Sequence, residues 1–179
     1  MTFEPTEIKD VILIKPKVFE DERGCFTETY REGLFREHGI DQNFVQDNLS
    51  RSKQNTLRGL HYQIKNPQAK LVMVTQGEIL DVAVDVRKDS PTFGKYVTEV
   101  LSGKNKHMLY LPIGFAHGFY VRSETATFLY KCSDYYNPKG ERGIRWNDPD
   151  IGIPWGEAEP ILSDKDKSLP LLSDVKDLP

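Results

Sequence analysis

The sequence predicts an all-β protein of the sandwich or barrel type. Between residues 70 and 132, short apolar or alternating segments rich in β-branched and aromatic residues recur at close intervals. Glycine, proline, asparagine and serine separate these segments, as expected for turns. A convincing helical pattern occurs at residues 31–38 alone, where a glycine follows in the position that ends many helices. These three observations together favour a sheet protein with one short helix.

Residues 8–30 are predicted to be mostly extended. Residues 8–19 indicate two short strands interrupted by Pro16, which has no amide hydrogen for a strand ladder. Residues 21–24 form a turn, after which residues 25–30 resume the alternation of a strand. The helix follows, and residues 49–55 are expected to be a polar loop.

Residues 56–63, Thr-Leu-Arg-Gly-Leu-His-Tyr-Gln, are the most informative segment. In a regular strand Arg58 and His61 would point to opposite faces, because they are three positions apart. Gly59 lies between them and could bend the backbone, which would bring both side chains to one pocket. The residues equally allow an edge strand with a surface arginine and a buried histidine.

The remaining strands are predicted from residue 70 onward. Residues 71–76 and 79–86 flank Gly77 and Glu78, which we expect to form a two-residue hairpin turn. Further strands are expected at residues 96–101, 107–111, 116–121 and 125–132. Residues 137–179 are rich in proline, glycine and charge, and should wrap the barrel as mostly loop. We expect one domain that spans residues 1–179.

Bulk properties exclude several classes of protein. At 179 residues the chain is long enough for one domain with a full core, and its formal net charge of −3 argues against a nucleic-acid surface. No segment approaches the roughly twenty apolar residues of a membrane span, and the acidic start does not resemble a signal peptide. Cys25 and Cys132 are too few for a disulfide framework, so a soluble, cytoplasmic protein is expected.

Residues 112–119, Pro-Ile-Gly-Phe-Ala-His-Gly-Phe, match the closing half of the cupin pattern, in which a small β-barrel carries a histidine inward. The opening half would be His-x-His followed by an acid, but here it reads His61, Tyr62, Gln63, with Lys70 near the position of the acid. An ammonium group would oppose a divalent cation, so we expect no metal. His117 is either a buried structural residue or a substrate contact.

Several cationic and amide side chains have the composition of a pocket for a phosphorylated ligand, because arginine binds phosphate in a bidentate manner. They are Arg23, Gln46, Asn48, Arg58 and Lys70, and Glu28 belongs to the same motif as Arg23. Phe26 and Tyr136 could stack on a base. Each of these residues taken alone is equally compatible with an ordinary surface position. Tyr130 on a barrel strand is more often a core residue, and residues 163–167 look like a surface turn.

Six motifs then occur in a fixed order. They are Asp-x-Arg-Gly-x-Phe-x-Glu, Gln-x-Asn-x-Ser, Leu-Arg-Gly-Leu-His-Tyr-Gln, Pro-x-Gly-Phe-Ala-His-Gly-Phe, Tyr-Lys-Cys-Ser-Asp-Tyr-Tyr and Leu-Ser-Asp-Lys-Asp. With them the chain resembles the dTDP-4-dehydrorhamnose 3,5-epimerase family from about residue 8 to about residue 170. The resemblance implies a cupin-like double-stranded β-helix (jelly roll) that needs no cofactor. It also implies a dTDP-4-keto-6-deoxy-sugar substrate and a homodimer with exchanged N-terminal strands.

The resemblance also assigns roles to individual positions. It implies that His61 is the catalytic base with Asp166 as its partner, that Tyr130 is the proton donor, and that Lys70 lies beside the keto oxygen. The remaining positions implied to bind substrate are Arg23, Phe26, Glu28, Gln46, Asn48, Arg58, His117, Tyr136, Glu141 and Lys165.

Such a set suits enolate chemistry, because protons next to a ketone are acidic when a base, an acid and a cation surround it. Four alternatives remain at this stage. They are inversion at C3 or C5 alone, a 3,4-ketoisomerase, a non-catalytic sugar-nucleotide-binding module and a metal-dependent oxygenase. The combination of His61, Tyr130 and Asp166 favours the epimerase over the ketoisomerase and the binding module. Lys70 and Gln63 disfavour the oxygenase.

Overall fold

The computed structural model describes residues 1–156 and 158–179 of the chain. Its strands are β1 (Thr2–Pro5), β2 (Ile12–Lys15), β3 (Val18–Asp21), β4 (Gly24–Thr27), β5 (Gln46–Lys53), β6 (Leu57–Gln63), β7 (Lys70–Gln76), β8 (Glu78–Asp85), β9 (Tyr96–Ser102), β10 (Met108–Leu111), β11 (Phe115–Val121), β12 (Thr125–Cys132) and β13 (Glu141–Gly143). The helices are α1 (Glu32–Glu37) and the single turn α2 (Asp164–Lys167), and a 3₁₀ turn covers Leu172–Asp174.

Two antiparallel sheets pack face to face. The larger has the strand order β1-β2-β10-β7-β12-β5, and the smaller has the order β13-β6-β11-β8-β9. Inward side chains of both sheets, among them Val72, Ala83 and Phe128, form the central core. This arrangement confirms the predicted all-β, cupin-like jelly roll. Burial of these apolar side chains between the sheets is its main source of stability.

Two further layers cover the outer faces of the sheets. Helix α1 inserts Phe35 against Ile14 and Met108 on the larger sheet. The C-terminal segment packs Ile151 and Trp155 on the smaller sheet, as the predicted wrap requires. The described residues contain no helix long and apolar enough to cross a membrane.

The predicted hairpin at Gly77 is wrong. Strand β7 pairs with β10 and β12 in the larger sheet, whereas β8 pairs with β9 and β11 in the smaller one. Gly77 adopts a φ of 81° and lies so close to the backbone of Thr125 that a Cβ atom would not fit. It is therefore the corner at which the chain changes sheets, a connection that local sequence does not distinguish from a hairpin.

Three other local predictions also need correction. Of the polar loop expected at residues 49–55, residues 49–53 belong to strand β5, whose backbone pairs with β12 over eight positions and so satisfies its hydrogen bonds; only residues 54 and 55 form a turn. Strand β1 lies ahead of the first predicted strand and pairs with β2. Residues 163–167 are not a surface turn, since α2 buries Asp166. The helix predicted at residues 31–38 is confirmed, with Gly39 at a φ of 82° just beyond it.

Candidate active site

A bulge in β6 brings Arg58 and His61 to the same cavity. His61 pairs with His117 of β11, and Arg58 pairs with Phe119, so three steps along β6 oppose two steps along β11. Gly59, with a φ of 122°, is the bulged residue, and a Cβ atom there would lie 2.5 Å from the Cα of Gly118. The extra residue turns both side chains inward, as the glycine in the sequence suggested.

The His61 ring forms a hydrogen bond with a buried carboxylate. Its Nε2 lies 2.6 Å from Oδ1 of Asp166, whose residue is 4% exposed. Burial alone would raise the pKa of Asp166, but the hydrogen bond and charge of His61 keep that pKa below its ordinary value. Because Nε2 donates to the carboxylate, Nδ1 is the ring nitrogen that remains free to accept a proton.

Two local contacts place Asp166 beside the histidine. Ile161 forms an isolated bridge with Thr56 at the start of β6, which holds the C-terminal segment along that strand. The hydroxyl of Ser163 then caps α2 by accepting the backbone N–H of Asp166, at 3.1 Å. A residue that is 105 positions away in sequence is thus fixed against His61.

The cavity has two lobes that share His61, Lys70 and Tyr130. One lobe, of about 340 Å³, is also lined by Gln46, Asn48, Tyr62, Gln63, Gln68, Cys132, Tyr136 and Glu141. The other, of about 260 Å³, is also lined by Ser50, Arg58, His117, Phe119, Phe128, Ser163, Lys165 and Asp166. Three of the four residues expected to be catalytic therefore lie at the junction of the lobes, and the fourth, Asp166, lines the second lobe beside His61.

Lys70 and Tyr130 point from neighbouring strands of the larger sheet toward His61 on the smaller sheet. Burial lowers the pKa of Lys70, although nearby acidic groups, among them the carboxyl of Asp81, oppose that effect. Burial raises the pKa of the Tyr130 hydroxyl, which therefore stays protonated well above neutral pH. An amine that can be cationic and a phenol that can donate a proton thus lie in the cavity that contains His61.

A hydrogen-bonded chain crosses the mouth of the cavity. Glu141 forms an ion pair with Lys165 and accepts a hydrogen bond from the hydroxyl of Tyr136 at 2.7 Å. Burial would raise the pKa of Glu141, but these two partners lower it. The side-chain amide of Gln46 donates to Asn48 at 3.1 Å, and its carbonyl accepts the backbone N–H of Tyr136 at 3.0 Å. This edge of the cavity therefore presents amides, a cation and an exposed aromatic ring.

Three of the predicted binding residues lie elsewhere. Arg23 and Phe26 are on the β3–β4 hairpin, which lines a separate open groove and neither lobe of the cavity. Phe26 is 70% exposed, and Arg23 contacts only its neighbour Asp21 among the described side chains. Glu28 follows β4 and pairs with Arg31 at 3.3 Å. Within one chain, these residues do not line the cavity.

The sequence interpretation missed Asp81, which lies inside the barrel and whose Oδ2 is 2.9 Å from Nε2 of His117. A carboxylate in the middle of the otherwise apolar run 79–84 of β8 was the signal for it. It also missed the Ser-x-x-Asp spacing of Ser163 and Asp166, which marks a helix N-terminus. The other lining residues that it missed are Ser50, Tyr62, Gln63, Gln68, Phe119, Phe128 and Cys132.

The geometry is suited to moving protons at carbon atoms. A histidine with a free nitrogen, a protonated tyrosine and a lysine line one cavity, which provides a base, an acid and a cation. Residues 1–156 and 158–179 contain no group of three or more histidine, cysteine, aspartate or glutamate side chains arranged to hold a metal ion.

Comparison with known proteins gives a consistent result. The family model described as dTDP-4-dehydrorhamnose 3,5-epimerase matches residues 5–174. A Pseudomonas aeruginosa protein of that name is 52% identical over 174 residues, which cover 96% of each chain. A Neisseria gonorrhoeae protein of the same name is 54% identical over 162 residues, and this chain spans only 49% of its length.

A solved structure agrees with these sequence matches. It is a Legionella pneumophila dTDP-6-deoxy-D-glucose-3,5-epimerase in complex with dTDP-4-keto-L-rhamnose. The two folds superimpose with a TM-score of 0.97 at 48% sequence identity, and the match covers 99% of this chain and 97% of that one.

Proposed function

Because the chain belongs to the dTDP-4-dehydrorhamnose 3,5-epimerase family, we propose that it is an isomerase that converts dTDP-4-dehydro-6-deoxy-D-glucose to dTDP-4-dehydro-L-rhamnose. The observation that carries this proposal is the His61–Asp166 pair, 2.6 Å apart, in one cavity with Tyr130 and Lys70. These groups are what enolisation next to a ketone requires. The product enters the formation of dTDP-L-rhamnose.

In the proposed mechanism, Nδ1 of His61 removes the proton from C3 or C5 of the sugar. The electron pair of the C–H bond moves into a carbon–carbon double bond, and the C4 ketone becomes an enolate. The Lys70 ammonium stabilises the negative oxygen. Tyr130 then protonates the same carbon from the opposite face, which inverts it. The resulting imidazolium and phenolate return to their starting states by proton exchange with solvent, so no electrons are gained or lost overall.

Asp166 has two effects on the base. Its carboxylate accepts the Nε2 proton, which keeps Nδ1 unprotonated and aimed at the cavity. It also stabilises the imidazolium that forms when His61 takes the substrate proton, since the charges attract at short range. Because Asp166 is buried, water does not compete for this hydrogen bond.

We assign the remaining cavity residues to substrate binding. Arg58 and Lys165 bring positive charge to one lobe, which suits the diphosphate. The amides of Gln46 and Asn48 and the ring of Tyr136 line the other lobe, which suits a base that is hydrogen-bonded and stacked. Glu141 connects the two sets of binding residues, because it forms an ion pair with Lys165 of one lobe and accepts a hydrogen bond from Tyr136 of the other.

We further propose a homodimer in which each N-terminal segment completes the nucleotide site of its partner. Support comes from the β3–β4 hairpin, where Arg23 and Phe26 are exposed and do not line the cavity of their own chain. An exposed ring and a nearby guanidinium are suited to stacking on a base and pairing with phosphate. Both would reach a nucleotide only in another subunit.

Complementation between two inactive variants tests this arrangement. His61→Ala lacks the base but keeps the hairpin, whereas Arg23→Ala lacks the hairpin cation but keeps the base. If hairpins are exchanged, a heterodimer of the two variants contains one complete site, and mixing under conditions that reassort subunits restores turnover. No recovery in a mixture shown by native mass spectrometry to contain heterodimers would refute the exchange.

Solvent-deuterium incorporation tests the reaction itself. Proton NMR of dTDP-4-keto-6-deoxyglucose incubated with the enzyme in D₂O should show exchange at both C3 and C5, and exchange at one position would identify a single-position epimerase. His61→Ala should abolish both exchanges. His107→Ala, which removes a histidine outside the cavity, is the matched control and should exchange normally. Wild-type exchange by His61→Ala would refute the assignment of the base.

We also infer a single cupin-like domain over residues 1–179 and a cytoplasmic location. Cys25 and Cys132 are both free thiols, which is the usual state in a reducing compartment. Immunodetection of the protein in cytosolic rather than membrane or secreted fractions would agree with this location, and recovery in the secreted fraction would contradict it.

A further inference from the structure

Asp81 carries an unpaired oxygen inside the barrel. The residue is 0% exposed, and its Oδ2 accepts a hydrogen bond from Nε2 of His117. Its other oxygen, Oδ1, is the one buried side-chain polar atom without a hydrogen-bond partner among the described residues. Leaving a buried acceptor unsatisfied is costly, and more so for a carboxylate. A hydrogen-bond donor close to Oδ1 would therefore stabilise Asp81.

Glu99 is the nearest carboxyl group in the register of the sheet. It lies on β9 directly across from Asp81 on β8, so both side chains point to the same face. That face is the interior, because the flanking residues Val97 and Leu101 belong to the central core. Directly opposed side chains in antiparallel strands have Cβ atoms about 4.5–5.5 Å apart. A protonated carboxyl of Glu99 is therefore within reach of Oδ1.

The charges around this pair favour a retained proton on Glu99. Burial raises the pKa of Glu99; Lys15 on β2 opposes the rise, and Asp81, Glu4 and Glu7 reinforce it. Lys15 also forms an ion pair with Glu4, so its positive charge is partly neutralised and lowers the pKa of Glu99 less than a free lysine would. Asp81 itself faces His117 on β11 and the Lys70 ammonium on β7. Two opposed carboxylates are more stable when one of them keeps a proton.

We propose that Glu99 is a positioning residue for the epimerase reaction: its protonated carboxyl donates to Oδ1 of Asp81, and the chain Glu99–Asp81–His117 fixes the His117 ring. In this chain Nε2 of His117 donates to Asp81, and Nδ1 is the nitrogen left for the substrate cavity that His117 lines. The proposal rests on the proposed function, since it assigns His117 to that substrate site. These hydrogen bonds link Glu99, on the core-facing side of the edge strand β9, to the cavity.

The proposal predicts a dependence on pH with a definite sign. The proton of Glu99 is present below its raised pKa and is lost as the pH rises through it. Above that pH the donor becomes a second carboxylate, which repels Asp81 and weakens the positioning of His117. Glu99→Gln retains an N–H donor at all pH values, whereas Glu99→Val retains none and suits a strand.

Ring ¹⁵N chemical shifts of His117 test the proposed hydrogen bonds from Glu99 to Asp81 and from His117 to Asp81. These shifts report the tautomer and protonation state of the ring and need no enzymatic turnover. At acidic pH the wild type and Glu99→Gln should give the same His117 pattern, and Glu99→Val should differ. With rising pH the wild-type pattern should move toward that of Glu99→Val, while Glu99→Gln should lack this transition. Thr98→Val, on the opposite face of β9, is the matched control and should follow the wild type. Signals are assigned by replacing the four histidines singly.

Identical His117 patterns in Glu99→Gln and Glu99→Val over the whole pH range would overturn the proposal. If Glu99→Val does not fold, a pH transition that persists in Glu99→Gln would overturn it equally. In steady-state assays Glu99→Val should raise KM for the nucleotide sugar by about 3–30-fold, the loss expected for a misplaced hydrogen bond, with a smaller effect on kcat. The NMR result does not depend on turnover, so failure of this inference and failure of the proposed reaction are distinguishable.

Discussion

Replacing Asp166 by asparagine separates the charge of the base partner from its shape. Asparagine occupies nearly the same volume beside His61, so the ring can keep its position against α2. Two things change. The imidazolium formed during proton abstraction loses its counter-charge, and the asparagine amide can donate to Nε2, which would place the ring proton on Nδ1, where the base must be free.

The structure sets the size of the effect. At the 2.6 Å separation of Nε2 and Oδ1, Coulomb's law gives about 6 kcal/mol for an effective dielectric constant of about 20 and about 1.6 kcal/mol for bulk water. Asp166 is buried and His61 is partly exposed, so the loss should lie between these limits. We expect kcat to fall by about 10²–10⁴-fold, or about 2.7–5.4 kcal/mol, which is the range of general-base catalysis.

The assay measures deuterium exchange at C3 and C5 and the formation of epimerised product, each over a range of substrate concentrations. Exchange and turnover should fall together, while the affinity for dTDP stays within about twofold of the wild-type value, because Asp166 is assigned no nucleotide contact. Asp164→Asn is the matched control, since Asp164 lies on the same helical turn and is fully exposed. It should retain wild-type rates.

A kcat of Asp166→Asn within a few-fold of the wild type, at unchanged stability, would refute the reasoning. It would mean that the carboxylate supplies neither the tautomer nor the counter-charge. A loss of dTDP affinity equal to the loss of kcat would also contradict it, because the substitution would then have disturbed the cavity as a whole.

Four further predictions concern the same cavity. Tyr130→Phe should allow deuterium to enter without inversion, since the base remains and the opposite-face donor is lost; normal inversion would contradict this. Burial lowers the pKa of Lys70, so its ammonium should be lost, and kcat should decline, at a lower pH than for an ordinary lysine; Lys70→Arg should lack that decline. Exhaustive chelation should leave turnover intact, and recovery that requires an added divalent ion would contradict this. Gly59→Ala should lower the free energy of unfolding by about 1–3 kcal/mol, because its Cβ would clash with Gly118; Gly33→Ala, with open space in α1, should be neutral or stabilising.

Much of the fold could be predicted because its signals are local. Alternating apolar residues and turn residues identified strands β7 to β12 to within a few positions, and Gly39 identified the end of α1. The connection at Gly77 could not be predicted, because a glycine with positive φ serves a hairpin and a change of sheet equally well. Strand β5 was missed because its polar side chains face the cavity, which removes the apolar alternation that marks a strand.

The candidate site could likewise be predicted only in part from the sequence. Arg58, His61 and Gly59 are neighbours in sequence, so their chemistry and the bend between them could be anticipated. Asp81 could not be recognised as the partner of His117, because the two lie on different strands that only the sheet register joins. Ser163 was overlooked because its role depends on α2, a helix of a single turn.

The sequence by itself determined the all-β class, the residue types of the cavity and, through its ordered motifs, the family. Those features depend on side-chain chemistry and on spacings of a few residues, which the chain carries locally. The tertiary structure alone decided which residues meet: Asp166 with His61 across 105 positions, Asp81 with His117, and the exclusion of Arg23 and Phe26 from the cavity of their own chain. These contacts depend on how the two sheets and the C-terminal segment pack together. Close packing is determined by side chains from the whole core, so no single segment of the sequence encodes it.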